Sequence, residues 1–379
     1  MNEQILALKS LLRETPDFQR ATEILRSGES VVWDGCVGSA FAFLGATAAE
    51  SLRKTTLVVV ARPGDVDRVA ADLAFFTAAP ILKYPVLPAS VFDDAGEEIF
   101  LSEDVDFGVR LRVLKALDRR ATAPFVADAT VKVDATSENG ANWANNANGA
   151  NSANNATSAD APPFVVASLA ALLQPVPSRE QVAEGTLRVA LNEEVGRDRL
   201  VRWLAEGGFH STTAVELPGE YSARGHVVDV FAVDWDKPVR FEFFGDEVES
   251  IRSFDVASQR SVEELESVEI SRLLVGGVAT GSFVDRLPND AWALFCGADE
   301  VGETKRMIAE YSDAERSRLA DPLDVVNALY RRPTARAVAV ATGEEVATAR
   351  FDVDFGSVER FQGDATQVEA ALNRSPEEE

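Results

Sequence analysis

The chain has 379 residues, with 37 Lys and Arg against 62 Asp and Glu, a formal net charge of −25 and 46% hydrophobic residues. That length suggests two or three domains, with ample apolar content for their cores. An acidic balance of this size repels phosphate backbones unless a basic patch is segregated, and no basic stripe is found, so direct DNA binding is disfavoured.

In chain order, residues 16–28 predict a helix with Phe18, Ala21, Ile24 and Leu25 on one face and Gly28 as the stop. Val31-Val32-Trp33 reads as a short buried strand, and residues 39–53 as an Ala-rich helix. The near-continuous apolar run Thr56–Ala61 fits a strand covered on both faces, followed by a helix that Asp65 can cap. Residues 105–120 predict a further helix, and Phe125–Ala127 a strand. The alternation indicates an α/β domain with a parallel sheet. Residues 134–163 are rich in Asn and Ala, with almost no large apolar side chain, and read as a disordered insertion. The sheet pattern resumes at Phe164–Ser168, with a short helix over Leu169–Leu173. A helix capped by Asp198 ends at Gly207-Gly208 and leads into a strand-rich block. Strands are then expected at 291–296, 336–341 and 350–355, and a helix over 299–319.

No apolar run is long enough to cross a bilayer and no signal-peptide pattern opens the chain, so the expected location is the cytoplasm. Cys36 and Cys296 make neither a metal cluster nor a disulfide framework and read as small core residues. His210 and His226 lack Cys or His neighbours at metal spacing, and no metal is expected.

Two stretches carry chemistry. The first, Gly35-Cys36-Val37-Gly38-Ser39-Ala40-Phe41-Ala42, lies between a strand and a helix, the setting of the phosphate-binding loop G-x-x-x-x-G-K-[ST]. Ala40 stands where the second glycine is needed, Phe41 where a lysine reaches the outer phosphates, and Ala42 where a hydroxyl holds Mg²⁺. A loop so changed is expected to have lost ATP hydrolysis, and to be a plain strand–helix connection more readily than a residual anion site. The acidic pair Asp299-Glu300 follows Gly297-Ala298 and is displaced from the strand end.

The second stretch is residues 219–260. Val239, Phe241 and Phe243 alternate with Arg240, Glu242 and Phe244, so a strand here has one apolar face and one face showing a guanidinium, a carboxylate and a ring. Arginine and aromatic residues dominate interface hot spots, which favours a docking surface. The alternative is that Arg240 and Glu242 make only a local cross-strand pair while Phe244 is a core residue after a bulge. Arg224 shares phase with Val228 and Val230, and needs a break near Gly225 to reach the outer face.

The ordered run Gly219-Glu220-Tyr221, Arg224-Gly225, Asp229-Val230-Phe231, Pro238–Glu247, Ile251-Arg252, Phe254-Asp255 and Ser258–Ser261 resembles the UvrA-binding domain shared by UvrB and transcription-repair coupling factors. A weaker resemblance to the N-terminal part of the coupling factors extends over most of the chain. The resemblance implies a discontinuous RecA-like α/β domain (1–184 and 276–379) without a working P-loop, interrupted by a smaller α+β UvrA-binding domain at 185–275. It implies UvrA as partner, with Arg224, Arg240, Glu242 and Phe244 at the matching contact positions; Ser222 stands where UvrB-like proteins often carry another arginine. ATP, Mg²⁺, RNA polymerase and DNA would be engaged only by regions of the longer family proteins, and this chain itself would need no cofactor. The resemblance further implies that the longer proteins mask the docking surface until they meet stalled polymerase. The damage-clamping Tyr-rich hairpin of UvrB is absent, since the four tyrosines are scattered. Two other readings stay open: a fragment of a UvrB-type ATP-dependent helicase, and a standalone UvrA-binding regulator.

Overall fold

A computed structural model describes residues 3–87, 91–92, 98–99, 105–122, 161–272, 281–297, 299–340 and 347–353. The chain opens with helices α1 (Glu3–Glu14) and α2 (Pro16–Ser27), strand β1 (Ser30–Asp34) and helix α3 (Ala40–Leu52). Strand β2 (Thr56–Val60), α4 (Val66–Phe76), β3 (Ile81–Tyr84), the two-residue strands β4 (Val91–Phe92) and β5 (Glu98–Ile99), and α5 (Val105–Thr122) follow. After β6 (Phe164–Ser168) come α6 (Leu169–Leu173), α7 (Arg179–Glu184), β7 (Thr186–Ala190), α8 (Arg197–Glu206) and β8 (His210–Ser211). A run of antiparallel strands then occupies β9 (Glu220–Arg224), β10 (Val227–Phe231), β11 (Val239–Phe244), β12 (Glu247–Phe254), β13 (Ser261–Glu264) and β14 (Ser267–Ser271). The last described elements are β15 (Trp292–Cys296), α9 (Glu300–Ile308), α10 (Asp313–Arg316), α11 (Pro322–Leu329), β16 (Thr334–Ala337) and β17 (Ala349–Asp352).

Seven strands form one sheet in the order β17-β1-β16-β15-β2-β6-β3, with every neighbouring pair parallel. Strands from both sides of the central strand-rich block are therefore neighbours in this sheet, which makes the α/β unit discontinuous. Both faces are covered. Val58 and Val60 pack with α2, α3 and α4, whereas Leu57 and Val59 pack with α5, α6 and α11. Alternating side chains thus enter opposite cores, which is why β2 reads as a continuous apolar run. At Gly45 helix α3 lies so close to the sheet that a Cβ would stand 2.5 Å from Leu294 Cδ2.

The second unit is a six-stranded sheet, ordered β13-β12-β11-β10-β9-β8. Its inner face buries Tyr221, Val228, Val230, Phe241, Phe243 and Ile251 against Leu200 and Leu204 of α8. Helix α5 reaches both units. Phe107 and Leu111 enter this second core, while Val113, Leu114 and Leu117 enter the core of the parallel sheet. Its polar side adds Arg112–Asp236 at 2.7 Å, Lys115–Asp234 at 3.1 Å and Arg119–Glu269 at 2.9 Å.

Several local expectations are corrected. Asp65 precedes α4 but makes no side-chain cap; its carboxylate accepts from Arg68 at 3.1 Å. Gly196, with φ +74°, occupies the N-cap of α8, and Asp198 lies inside the first turn, paired with Arg197. The helix expected over 299–319 is two helices, because Ser312 and Glu315 form a capping box that starts α10. Strand Phe125–Ala127 and the insertion up to residue 160 lie outside the described residues, but 161–163 belong to the ordered fold: Pro163 is buried and its carbonyl accepts from Thr56 N at 3.0 Å.

The close approach of α5 to the second unit gives a direct test. A Cβ at Gly108 would stand 1.9 Å from the carbonyl oxygen of Val233, a backbone atom that cannot swing aside. Gly108→Ala is expected to lower stability by about 1–3 kcal/mol or more despite the better helix propensity of alanine, measured by urea unfolding.

Candidate docking face and the strand–helix loop

The outer face of the six-stranded sheet is set by register. Arg224 pairs with Val227, and Val227 with Glu242. One row further along, Ser222 pairs with Asp229, Asp229 with Arg240, and Arg240 with Arg252. Phe244 ends β11 opposite Glu247. The structure thus brings Arg224, Arg240, Glu242 and Phe244 onto one face. Arg224 gets there because the chain breaks at Gly225, as its phase requires. A two-residue hairpin at Gly225-His226, with Gly225 at φ +54°, pairs even-numbered positions of β9 with odd-numbered ones of β10.

The four side chains differ in what they have left to offer. Phe244 is not a core residue; it is 77% exposed. The hairpin that carries it is anchored, since Gly196 N donates to the Asp246 carbonyl at 2.9 Å and Val248 N to the Glu193 carbonyl at 3.0 Å. Arg224 is exposed and, with Glu242, forms no ion pair among the described residues. Arg240 is engaged, but not with Glu242. Its Nε and Nη2 donate to Asp229 Oδ1 and Oδ2 at 2.7 and 2.8 Å, and its guanidinium lies 4.8 Å from the Phe254 ring. The Asp229 hydrogen bonds push the Arg240 guanidinium above its ordinary value. Phe254 is fully buried with Val215 and Phe231 in a small cluster on this same face. Ser222 is buried too, its hydroxyl donating to the Thr213 carbonyl at 3.2 Å. The loop after β8 therefore covers one end of the face and leaves the Phe244 end open.

Asp229 escaped sequence reasoning. The register of β10 against β11 runs through residues 232–238, which give no parity rule of the kind a two-residue turn gives.

The loop after β1 stands at the C-terminal edge of the parallel sheet, where α/β folds place their ligands. Gly35 has φ +82° and Gly38 +59°. A Cβ on Gly35 would stand 2.5 Å from the Val353 carbonyl oxygen. Cys36 N donates to the Val338 carbonyl at 2.9 Å, so a backbone amide of this loop is spent on the segment that follows β16. Ser39 precedes α3 without a side-chain cap. Ala40, Phe41 and Ala42 are all buried, with Phe41 7% exposed in the core under the sheet. Burial pushes the Cys36 thiol up to about 12 and holds that of Cys296 well above its ordinary value, so neither thiol is a ready nucleophile.

The acidic pair after β15 has structural roles. Asp299 accepts from Gly302 N at 2.9 Å as the cap of α9. Glu300 is 1% exposed and pairs with Arg336 of β16 at 2.7 Å. Burial raises the Glu300 carboxyl above its ordinary value, and the Arg336 charge only partly opposes this. Among the described residues no group of three His, Cys, Asp or Glu could hold a metal ion, and no helix is long and apolar enough to cross a membrane.

A family model described as the UvrB interaction domain matches residues 187–272. A transcription-repair-coupling factor of Myxococcus xanthus is 30% identical over 253 residues, 67% of this chain and 18% of that protein. Those of Bacillus subtilis (strain 168) and Escherichia coli (strain K12) are 37% identical over 108 residues and 38% over 78, which are 9% and 7% of their lengths. The chain thus spans under a fifth of the length of these relatives.

Removing one partner of a buried ion pair leaves an uncompensated charge. Glu300→Ala is expected to cost about 3–5 kcal/mol by stranding Arg336, measured by chemical unfolding, whereas Arg306→Ala at the exposed surface is expected to leave stability nearly unchanged.

Residues 187–272 are a UvrB interaction domain, set in a chain that matches the N-terminal UvrB-like module of transcription-repair-coupling factors.

Proposed function

We propose that this chain is a docking module that recruits UvrA in transcription-coupled nucleotide excision repair, and that the module itself is non-catalytic. The observation that carries this reading is the convergence of Arg224, Arg240, Glu242 and Phe244 on one sheet face whose Phe244 end is uncovered. An exposed ring on an anchored hairpin costs little further entropy on binding, and an open arginine beside it selects an acidic patch on the partner. The division of the chain into 1–184, 185–275 and 276–379 belongs to the same reading.

The non-catalytic reading is supported by the β1–α3 loop. Phe41, in the position of the phosphate-contacting lysine, is packed into the core, and the Cys36 amide is already bonded. Electrostatic stabilisation is most of phosphoryl-transfer catalysis, and this loop offers no cation for it. ATP, Mg²⁺, RNA polymerase and DNA would then be engaged by other parts of the longer family proteins, in the cytoplasm. The resemblance adds that such proteins mask the docking face, so the chain by itself would bind UvrA constitutively.

Purified UvrA is expected to bind the chain without nucleotide. Arg224→Glu and Phe244→Ala are each expected to cost about 2–4 kcal/mol of binding, read by calorimetry, with melting temperatures unchanged. Unchanged affinity in both variants would contradict the docking reading. Saturable ATP binding that is abolished by altering Ser39 or Phe41 would instead favour the rival reading, a UvrB-type helicase fragment.

A further inference from the structure

Arg240 is a cation of the docking face held by two hydrogen bonds to another residue of that face. A guanidinium carries five N–H donors. Two of them, on Nε and Nη2, go to the two carboxylate oxygens of Asp229. The remaining donors, both on Nη1 and one on Nη2, are left for a partner. Its Cζ lies over the buried Phe254 ring, 4.8 Å from the ring centroid. The guanidinium is thereby held by a carboxylate and packed over a ring before any partner arrives. An arginine side chain has large rotamer freedom, and removing it in advance raises affinity without adding a contact. Asp229 is more deeply set than the arginine, with side-chain exposures of 14% and 27%. Both of its oxygens are taken by Arg240, so it has little to offer a partner directly.

We propose that Asp229 is a positioning residue of the docking face, acting on UvrA affinity through Arg240. This rests on the docking reading above. It differs from a purely structural role, in which the Asp229–Arg240 pair would stabilise the sheet and leave recognition to Arg224 and Phe244.

A double-mutant cycle read in two quantities separates these. UvrA affinity and melting temperature are measured for the wild type, Asp229→Ala, Arg240→Ala and the double variant. Asp229→Ala is expected to weaken UvrA binding about 10-fold or more when Arg240 is present, and by less than about 3-fold in the Arg240→Ala background. Combined with Arg224→Ala, its effect on binding is expected to be additive. Asp229→Asn keeps the shape and one acceptor oxygen, and is expected to fall between the two; it carries the test should Asp229→Ala fail to fold. Equal losses with and without Arg240, or no loss of affinity while the melting temperature falls, would overturn the proposal. If Arg224→Glu and Phe244→Ala weaken binding but Arg240→Ala does not, the docking reading stands and this inference alone fails. If none of the three weakens binding, the docking reading fails first and this inference with it.

Discussion

The arrangement of this protein depends on helix α5. One side of it is counted in the core of the parallel sheet and its first turns in the core of the six-stranded sheet. Apolar burial holds the helix to both, and the Lys115–Asp234 and Arg112–Asp236 pairs fix its rotation against the turn after β10. The desolvated members of that set matter more than the exposed ones, since surface pairs contribute little. With α5 and α8 occupying the inner face of the six-stranded sheet, every apolar side chain of β11 that points inward is satisfied. The outer face is left to polar groups, the small Val215, Phe231 and Phe254 cluster, and the exposed Phe244. The proposed docking face is thus a consequence of one-sided packing: an antiparallel sheet needs a cover on only one side.

How the two sheets differ explains what could be read from the chain. Thr56–Val60 and Phe164–Ser168 are buried throughout and almost wholly apolar because each strand feeds two cores, and that pattern is unmistakable. The alternation over Val239–Phe244 is equally plain because only one face is buried. Gly28 ends α2 at φ +98°, as a left-handed cap should. Features set by tertiary contact were not legible. Helix α1 was not anticipated; it is held by Lys9, fully buried and paired with Glu50 of α3. Strand β3 is short and carries Lys83, so its pattern is weak. Glu300 reads as a displaced acidic residue and is a buried partner of Arg336, which only the neighbouring strand reveals.

The candidate site shows the same division. Arg240, Glu242 and Phe244 share a face by period alone. Placing Arg224 required the two-residue hairpin, and the Asp229 clamp required the register between β10 and β11. The strand–helix loop shows sequence and packing agreeing. Phe41 is not merely a missing lysine, because its ring fills the core beneath the loop, so restoring a charge there would bury it unpaired.

The central claim is that this chain meets its partner through the outer face around Phe244. Hydroxyl-radical footprinting of the chain, alone and saturated with UvrA, tests this without altering a residue. Phe244 is 77% exposed on the docking face, and Phe75 is 65% exposed on α4 of the other unit and serves as internal reference. Strong protection of Phe244 with unchanged oxidation of Phe75 is the predicted result. Full binding with Phe244 as reactive as in the free chain would contradict the account.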